Sequence, residues 1–218
     1  MFEAFSEGGK RLFTDSGRGW AMTGKGVLTL SADTSGSGGS NYGYIPKNAE
    51  QELVFVVPKN KPITAANKVR SPDPGYYVLS DLTEVEWYRF SLLTSVPKNG
   101  VGLEIFGSDG TIQFSSSAPP LCLSGYAAIP DMTSSQSPPN VPEAVIAGLS
   151  GKHAACIFNP RVFGRRVARG YEKLYCDGVL ADSRGIVATP WNYFEWAATL
   201  YSHNYIGSFL LTVDITNL

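Results

Sequence analysis

Two stretches of the chain carry nearly the same short pattern: residues 2–16 read "FEAFSEGGKRLFTDS" and residues 103–117 read "LEIFGSDGTIQFSSS". Laid over each other at an offset of 101 residues, without a gap, they share five identities. These are Glu3 with Glu104, Phe5 with Phe106, Gly9 with Gly110, Phe13 with Phe114 and Ser16 with Ser117. Each stretch places short apolar runs on both sides of a glycine-containing turn, which predicts a β-hairpin.

The parallel continues beyond the hairpins, because residues 2–28 align with residues 103–129 without a gap. In each copy a third strand pattern is followed by a polar loop and then by an apolar run. The loops lie at 31–43 and 131–143, and the apolar runs at 52–58 and 153–160. The same order of elements therefore occurs twice, which predicts two tandem related halves. We place the boundary where Pro97, Asn99, Gly100 and Gly102 cluster, giving residues 1–98 and 99–218.

The remaining patterns also favour strands. Gly and Pro total 37 residues (23 and 14), and the segments 75–82, 85–93 and 206–215 are rich in β-branched and aromatic residues. We predict an all-β, mainly antiparallel fold of two β-sandwich-like halves, the second with insertions. At most two short helices are expected, at 141–149 and 190–204. The second of these fits a strand equally well.

Composition limits the classes of function. The net charge of −1 gives no general attraction to nucleic acid. No run of eighteen apolar residues is present, and Glu3 and Glu7 replace the basic flank of a secretion signal, so we expect neither membrane insertion nor secretion. Three cysteines are an odd number, which favours reduced thiols. Charged residues make up only 17% of the chain, which favours a protein covered by partners.

Several residue groups could carry chemistry, but none is complete. His153 and Cys156 have metal-like spacing, with Cys122, Cys176 and His203 as further ligands. On a strand, however, residues i and i+3 point to opposite faces, so a buried thiol is the better interpretation.

The segment "GSGGS" at 36–40 lacks the strand–turn–helix setting of a hydrolase nucleophile and the following Lys of a phosphate loop. Asp177 and Asp182 would need to converge on one cleft to hydrolyse a glycoside. We therefore predict no catalytic activity, no cofactor and no required metal.

Two segments are candidate interfaces. The first, 161–170, contains four arginines, which suit an acidic partner protein. The second, 191–209, is dense in aromatics, which are typical of a core, a protein interface or a glycan site. The residues proposed for contact are Arg161, Arg165, Arg166, Arg169, Trp191, Tyr193, Trp196, Tyr201 and Tyr205.

The stretch "GLEIFGSDGTIQFSS" at 102–116, with its degenerate copy at 2–16, resembles the opening of small β-rich structural proteins of long-tailed bacteriophages. Those proteins are associated with the tail tip or tail fibre. The resemblance covers about a third of the chain and brings no catalytic residues with it. It implies a virion component, made in the host cytoplasm, that contacts other phage tail proteins. A host surface receptor or glycan is a further candidate partner.

Scarce charge and uncovered strand edges also predict a homo-oligomer, either a trimer or a hexamer around the tail axis. The alternative hypothesis is a soluble carbohydrate-binding or glycan-processing domain. The aromatic segment at 191–209 leaves that alternative open.

Overall fold

The computed structural model describes residues 3–5, 11–14, 19–32, 40–68, 74–92, 103–107, 110, 112–131, 140–168, 171–197 and 208–218. Within these residues the chain is all-β, with seventeen strands and no helix. The strands of the first half are β1 (Glu3–Phe5), β2 (Arg11–Thr14), β3 (Trp20–Thr29), β4 (Asn41–Pro46), β5 (Glu52–Val56), β6 (Ile63–Lys68), β7 (Gly75–Ser80) and β8 (Glu84–Leu92). Those of the second half are β9 (Glu104–Phe106), β10 (Ile112–Ser115), β11 (Leu123–Ala128), β12 (Ala144–Ile146), β13 (His153–Phe158), β14 (Val162–Ala168), β15 (Tyr171–Asp182), β16 (Gly185–Ala197) and β17 (Phe209–Asp214).

The two predicted hairpins are confirmed, and they are equivalent residue by residue. The cross-strand pairs are Glu3–Thr14, Ala4–Phe13 and Phe5–Arg11 in the first, and Glu104–Ser115, Ile105–Phe114 and Phe106–Ile112 in the second. The offset of 101 maps each pair of the first hairpin onto a pair of the second. Even the irregularity recurs, because the pairing skips Leu12 in one copy and Gln113 in the other. A shared bulge is a conformational detail that supports duplication of one ancestral unit.

The other strands form two large antiparallel sheets to which both halves contribute. The six-stranded sheet has the order β11-β17-β13-β5-β8-β3, and the seven-stranded sheet has the order β12-β16-β15-β6-β7-β4, with β14 pairing with β15. In each sheet three neighbouring strands come from one half and three from the other, in mirrored order. Each half is thus a three-on-three sandwich, and the halves join edge to edge. The additional strand, β14, is an insertion of the second half.

The junctions between the halves have the register of a pseudo-twofold axis. Ala155 pairs with Val56, so Phe55 is level with Cys156, its own counterpart at the offset of 101. A second junction lies at the outer strands of the six-stranded sheet, where the Leu121 amide donates to the Trp20 carbonyl over 2.8 Å. These two residues are also counterparts. The same symmetry therefore relates the halves at both places.

Alternation along the strands divides the apolar side chains between two cores. One core lies between the two sheets and contains residues of both halves, such as Val56, Ile63 and Leu210. The other covers the opposite face of the six-stranded sheet and is centred on Phe55 and Phe90, whose rings meet edge to face at 5.5 Å. The six-stranded sheet is therefore buried on both faces over much of its area.

The strands expected at 75–82, 85–93 and 206–215 are confirmed as β7, β8 and β17. Both helix candidates are wrong over their described residues. Ala144–Ile146 is a strand with alternating burial, paired with the 186–188 segment of β16, and residues 190–197 belong to β16 itself. Strand pairing overrides the weak helix pattern, since aromatic and β-branched residues fit a pleated surface.

We predict that the halves unfold together, because they share both cores. Replacing the buried Phe55 by alanine should cost about 3–5 kcal/mol of unfolding free energy. The measurement is urea denaturation followed by circular dichroism and by tryptophan fluorescence, which should give one coincident transition. Val27→Ala, at an exposed position, is the control and should shift stability by less than about 0.5 kcal/mol. Two separate transitions would contradict the shared-core description.

Candidate contact surface

Four large apolar side chains of the second half are exposed on the six-stranded sheet. They are Leu123 (49% exposed), Tyr126 (75%), Phe158 (56%) and Phe209 (50%), and we call them the apolar patch. Phe209 pairs directly with Phe158, and Tyr126 pairs with Leu211, so three adjacent strands carry the patch. By strand alternation these side chains lie on the face of the second core, beyond its covered part.

The first half shows that the fold does not require this patch. At the offset of 101, Tyr126 corresponds to Lys25. Phe209 corresponds to Glu86, because these two residues pair with the counterparts Ala128 and Val27. Charged side chains thus occupy equivalent positions in the same architecture. The exposure of aromatic rings in the second half needs another explanation than folding.

The first-half counterpart of the patch is a charged, water-facing surface. The Lys152 ammonium bonds both carboxylate oxygens of Glu86 at 2.8 Å, and the Tyr88 hydroxyl donates to the same carboxylate over 2.7 Å. Burial raises the pKa of Glu86, but these hydrogen bonds outweigh it and hold the pKa below its ordinary value. The two equivalent surfaces therefore differ in chemistry at Lys25 and Glu86, where the second half has the aromatic residues Tyr126 and Phe209.

A polar cleft of about 470 Å³ lies between the start of β13 and the turn that joins β15 to β16. Arg184 donates to Asp182 over 2.7 Å and to Glu143 over 2.6 Å. Hydrogen bonds from Arg184 are the main cause that lowers the pKa of Asp182. His153 also lines this cleft, with its Nδ1 3.4 Å from the Gly151 carbonyl oxygen. Arg184 is thus engaged by two carboxylates, and Lys152, which also lines the cleft, is paired with Glu86.

Of the three thiols that were offered as ligands, Cys122 is exposed, Cys156 is half-buried and Cys176 is buried. Burial raises the pKa of Cys156 to about 12 and also raises that of Cys176, so both stay protonated at neutral pH and are poor nucleophiles. Across the described ranges, no group of three or more His, Cys, Asp or Glu side chains is arranged to hold a metal ion.

The prediction that Arg161 and Trp191 are contact residues is wrong, because both side chains are buried. The Arg161 guanidinium forms a two-pronged ion pair with Asp177, with both N–O distances at 2.8 Å. It also donates to the carbonyls of Pro130, just before the polar loop at 131–143, and of Pro142, near the end of that loop. Arg161 thus ties the two ends of that loop together.

The Trp191 indole is likewise used internally, since its N–H donates to the Thr64 hydroxyl over 2.7 Å. Of the other proposed contact residues, Arg165 and Arg166 lie on β14, and Tyr193 and Trp196 lie on β16. Arg169, Tyr201 and Tyr205 fall outside the described residues. Those assignments stay predictions. The sequence patterns did not identify the apolar patch, although the alignment of the two copies places Lys25 and Tyr126 at equivalent positions.

Comparison of the chain with protein-family models, with curated proteins and with solved structures gives no match. Among the described residues, no helix is long and apolar enough to cross a bilayer. The most informative comparison is therefore internal, between equivalent positions of the two halves.

We predict that Arg161→Met is severely destabilising, by about 3–5 kcal/mol, because it leaves the Asp177 carboxylate buried without its partner. The double variant Arg161→Met/Asp177→Leu should recover part of this loss, since no lone charge remains. Urea denaturation of the wild type, both single variants and the double variant measures the coupling. A single variant with wild-type stability would contradict the internal role of the pair.

Proposed function

We propose that the chain is a structural component of a bacteriophage tail tip or tail fibre and acts through protein–protein contacts, with no reaction of its own. Its location would be the virion tail, and its partners other tail proteins. The likeness of residues 102–116 to tail-associated proteins motivates the setting. The observation that carries the contact role is the apolar patch, two of whose four positions hold charged residues, Lys25 and Glu86, in the other half.

Energetics favour a partner on this surface. Fully burying a side chain as large as Leu or Phe contributes roughly 1.5–3 kcal/mol relative to leaving it in water. Phe158 and Phe209 stand side by side on adjacent strands, so one partner surface can cover both. The four patch residues carry no charge, and a matching partner surface is therefore apolar at its centre.

The second candidate is a carbohydrate-binding domain. The observation that favours it is the group of exposed rings of Tyr126, Phe158 and Phe209, since aromatic faces also bind sugars. Sugar recognition also needs polar groups placed to fix orientation. The Ser124 hydroxyl, on the same strand as Tyr126, is 3.1 Å from the Thr212 hydroxyl and already hydrogen-bonded to it. A protein partner is therefore the better match.

We predict that Phe158→Val/Phe209→Glu, which installs the first-half residues Val57 and Glu86 at their counterpart positions, folds normally but loses tail-protein binding. Burial of the two rings would be lost and a charge would enter the contact. The chain is co-expressed with the proteins encoded beside it, and complexes are weighed by native mass spectrometry. Val27→Glu, at an exposed apolar position of the first half, is the matched control and should bind like the wild type.

A wild-type chain that binds none of those proteins and is absent from purified particles would refute the tail proposal. Glycan-array binding that the same double variant abolishes would then support the carbohydrate-binding alternative.

A further inference from the structure

Within the described residues, the outer edge of β11 has no neighbouring strand and carries no charge. The strand reads "LSGYAA" and contains neither a charged residue nor proline. It pairs with β17 on one side, and it is the end strand of the six-stranded sheet. Among the described residues, the backbone hydrogen bonds that tie this region to β3 are those of Met22 with Pro119 and of Leu121 with Trp20, both before β11 begins. Within the described part of the chain, the amides and carbonyls on the outer edge of β11 have no strand beside them.

The counterpart edge strand, β3, contains a residue that disfavours pairing with a further strand. Lys25 is exposed at the middle of β3, and lysine on an edge strand discourages the addition of another strand. In β11 the equivalent position is Tyr126, which is 75% exposed. The duplication thus provides two versions of one edge. The first is protected, and the second presents backbone groups together with an apolar side chain.

The chain itself shows how such edges join. At the centre of the six-stranded sheet, β5 of one half pairs with its counterpart β13 of the other in antiparallel register about the pseudo-twofold axis. Phe55 and Cys156, the counterparts at the axis, lie on the same face of the sheet. Antiparallel pairing of two equivalent edges is thus a contact that this architecture already forms.

We propose that β11 pairs in antiparallel register with β11 of a second copy of this chain, which makes a twelve-stranded sheet across two chains. The contact is isologous, so the same strand serves on both sides. Because β11 has no charged residue, the two edges meet without repulsion between like charges. This proposal rests on the proposed function, since it names one partner of the same surface. It leaves Phe209 and Phe158, one and two strands inward from β11, for the tail partner.

The pairing also brings the two apolar patches together. A twofold axis normal to the sheet keeps equivalent side chains on one face, so Tyr126 of each copy lies beside the other copy's β11. Tyr126 would become covered on dimerisation, and the row of exposed rings would continue from one chain into the next. The dimer therefore offers a tail partner a larger apolar surface than one chain does.

The test compares oligomeric state across matched lysine variants by sedimentation velocity over a range of concentrations. The wild type should show a reversible dimer. Tyr126→Lys, which copies the first half, should raise the dimer dissociation constant by at least about tenfold. Ala128→Lys adds charge to the same edge and should act alike. Val27→Lys makes the same change at the counterpart of Ala128 and should dimerise as the wild type does.

A wild-type chain that stays single at every concentration overturns the proposal. So does a dimer, trimer or hexamer that survives both β11 variants with unchanged affinity. If Tyr126→Lys does not fold, as judged by circular dichroism, Ala128→Lys decides the question. The variant Phe158→Val/Phe209→Glu separates the two proposals: it should retain the dimer while losing tail-protein binding. A chain that dimerises through β11 but binds no tail protein would refute the proposed function alone.

Discussion

The antiparallel junction of β5 with β13 is the contact on which the architecture depends. Without it each half keeps its own three-stranded part of the six-stranded sheet, with the edge of β5 open in one half and that of β13 open in the other. With it the six-stranded sheet runs through the molecule, as the seven-stranded sheet does through the pairing of β6 with β15, and Phe55 and Val56 enter cores that contain residues of both halves. The register at Phe55 and Cys156 makes the chain a covalently linked pseudo-dimer rather than two separate units in series.

Each half secures irregular backbone with a buried ion pair, but at non-equivalent positions. In the first half Arg89 lies 3.6 Å from Glu52 and donates to the Pro46 carbonyl over 2.6 Å. In the second half Arg161 and Asp177 serve the carbonyls of Pro130 and Pro142. Buried charges are costly, and in both halves the arginine of the pair also satisfies backbone carbonyls, at the end of β4 in the first half and beside the polar loop in the second. The two halves therefore share one strand arrangement but are stabilised by buried ion pairs at different positions.

Local patterns predicted much of this fold. The hairpins, the strands at 75–82 and 85–93 and the duplication all depend on short-range signals that survive in the sequence. Which strands pair across the halves is not local: β5 meets β13 about a hundred residues later. The same limit explains Arg161. In the sequence it is one of four nearby arginines, and only the pairing of Val162 with Cys176 brings it to Asp177, sixteen residues away.

Because the two halves share one strand arrangement, surface residues that differ at equivalent positions are not dictated by the fold. Lys25 and Tyr126 occupy one position in two copies of one architecture, as do Glu86 and Phe209. Since both versions occur in the same fold, packing cannot account for the difference. The aromatic version is the less favourable one in water, because it exposes a large apolar area. A surface that is unfavourable in the free chain and unnecessary to its fold fits the contact role that we propose for it. The divergence between the halves thus separates a scaffold, which both copies share, from the apolar patch, which one copy carries.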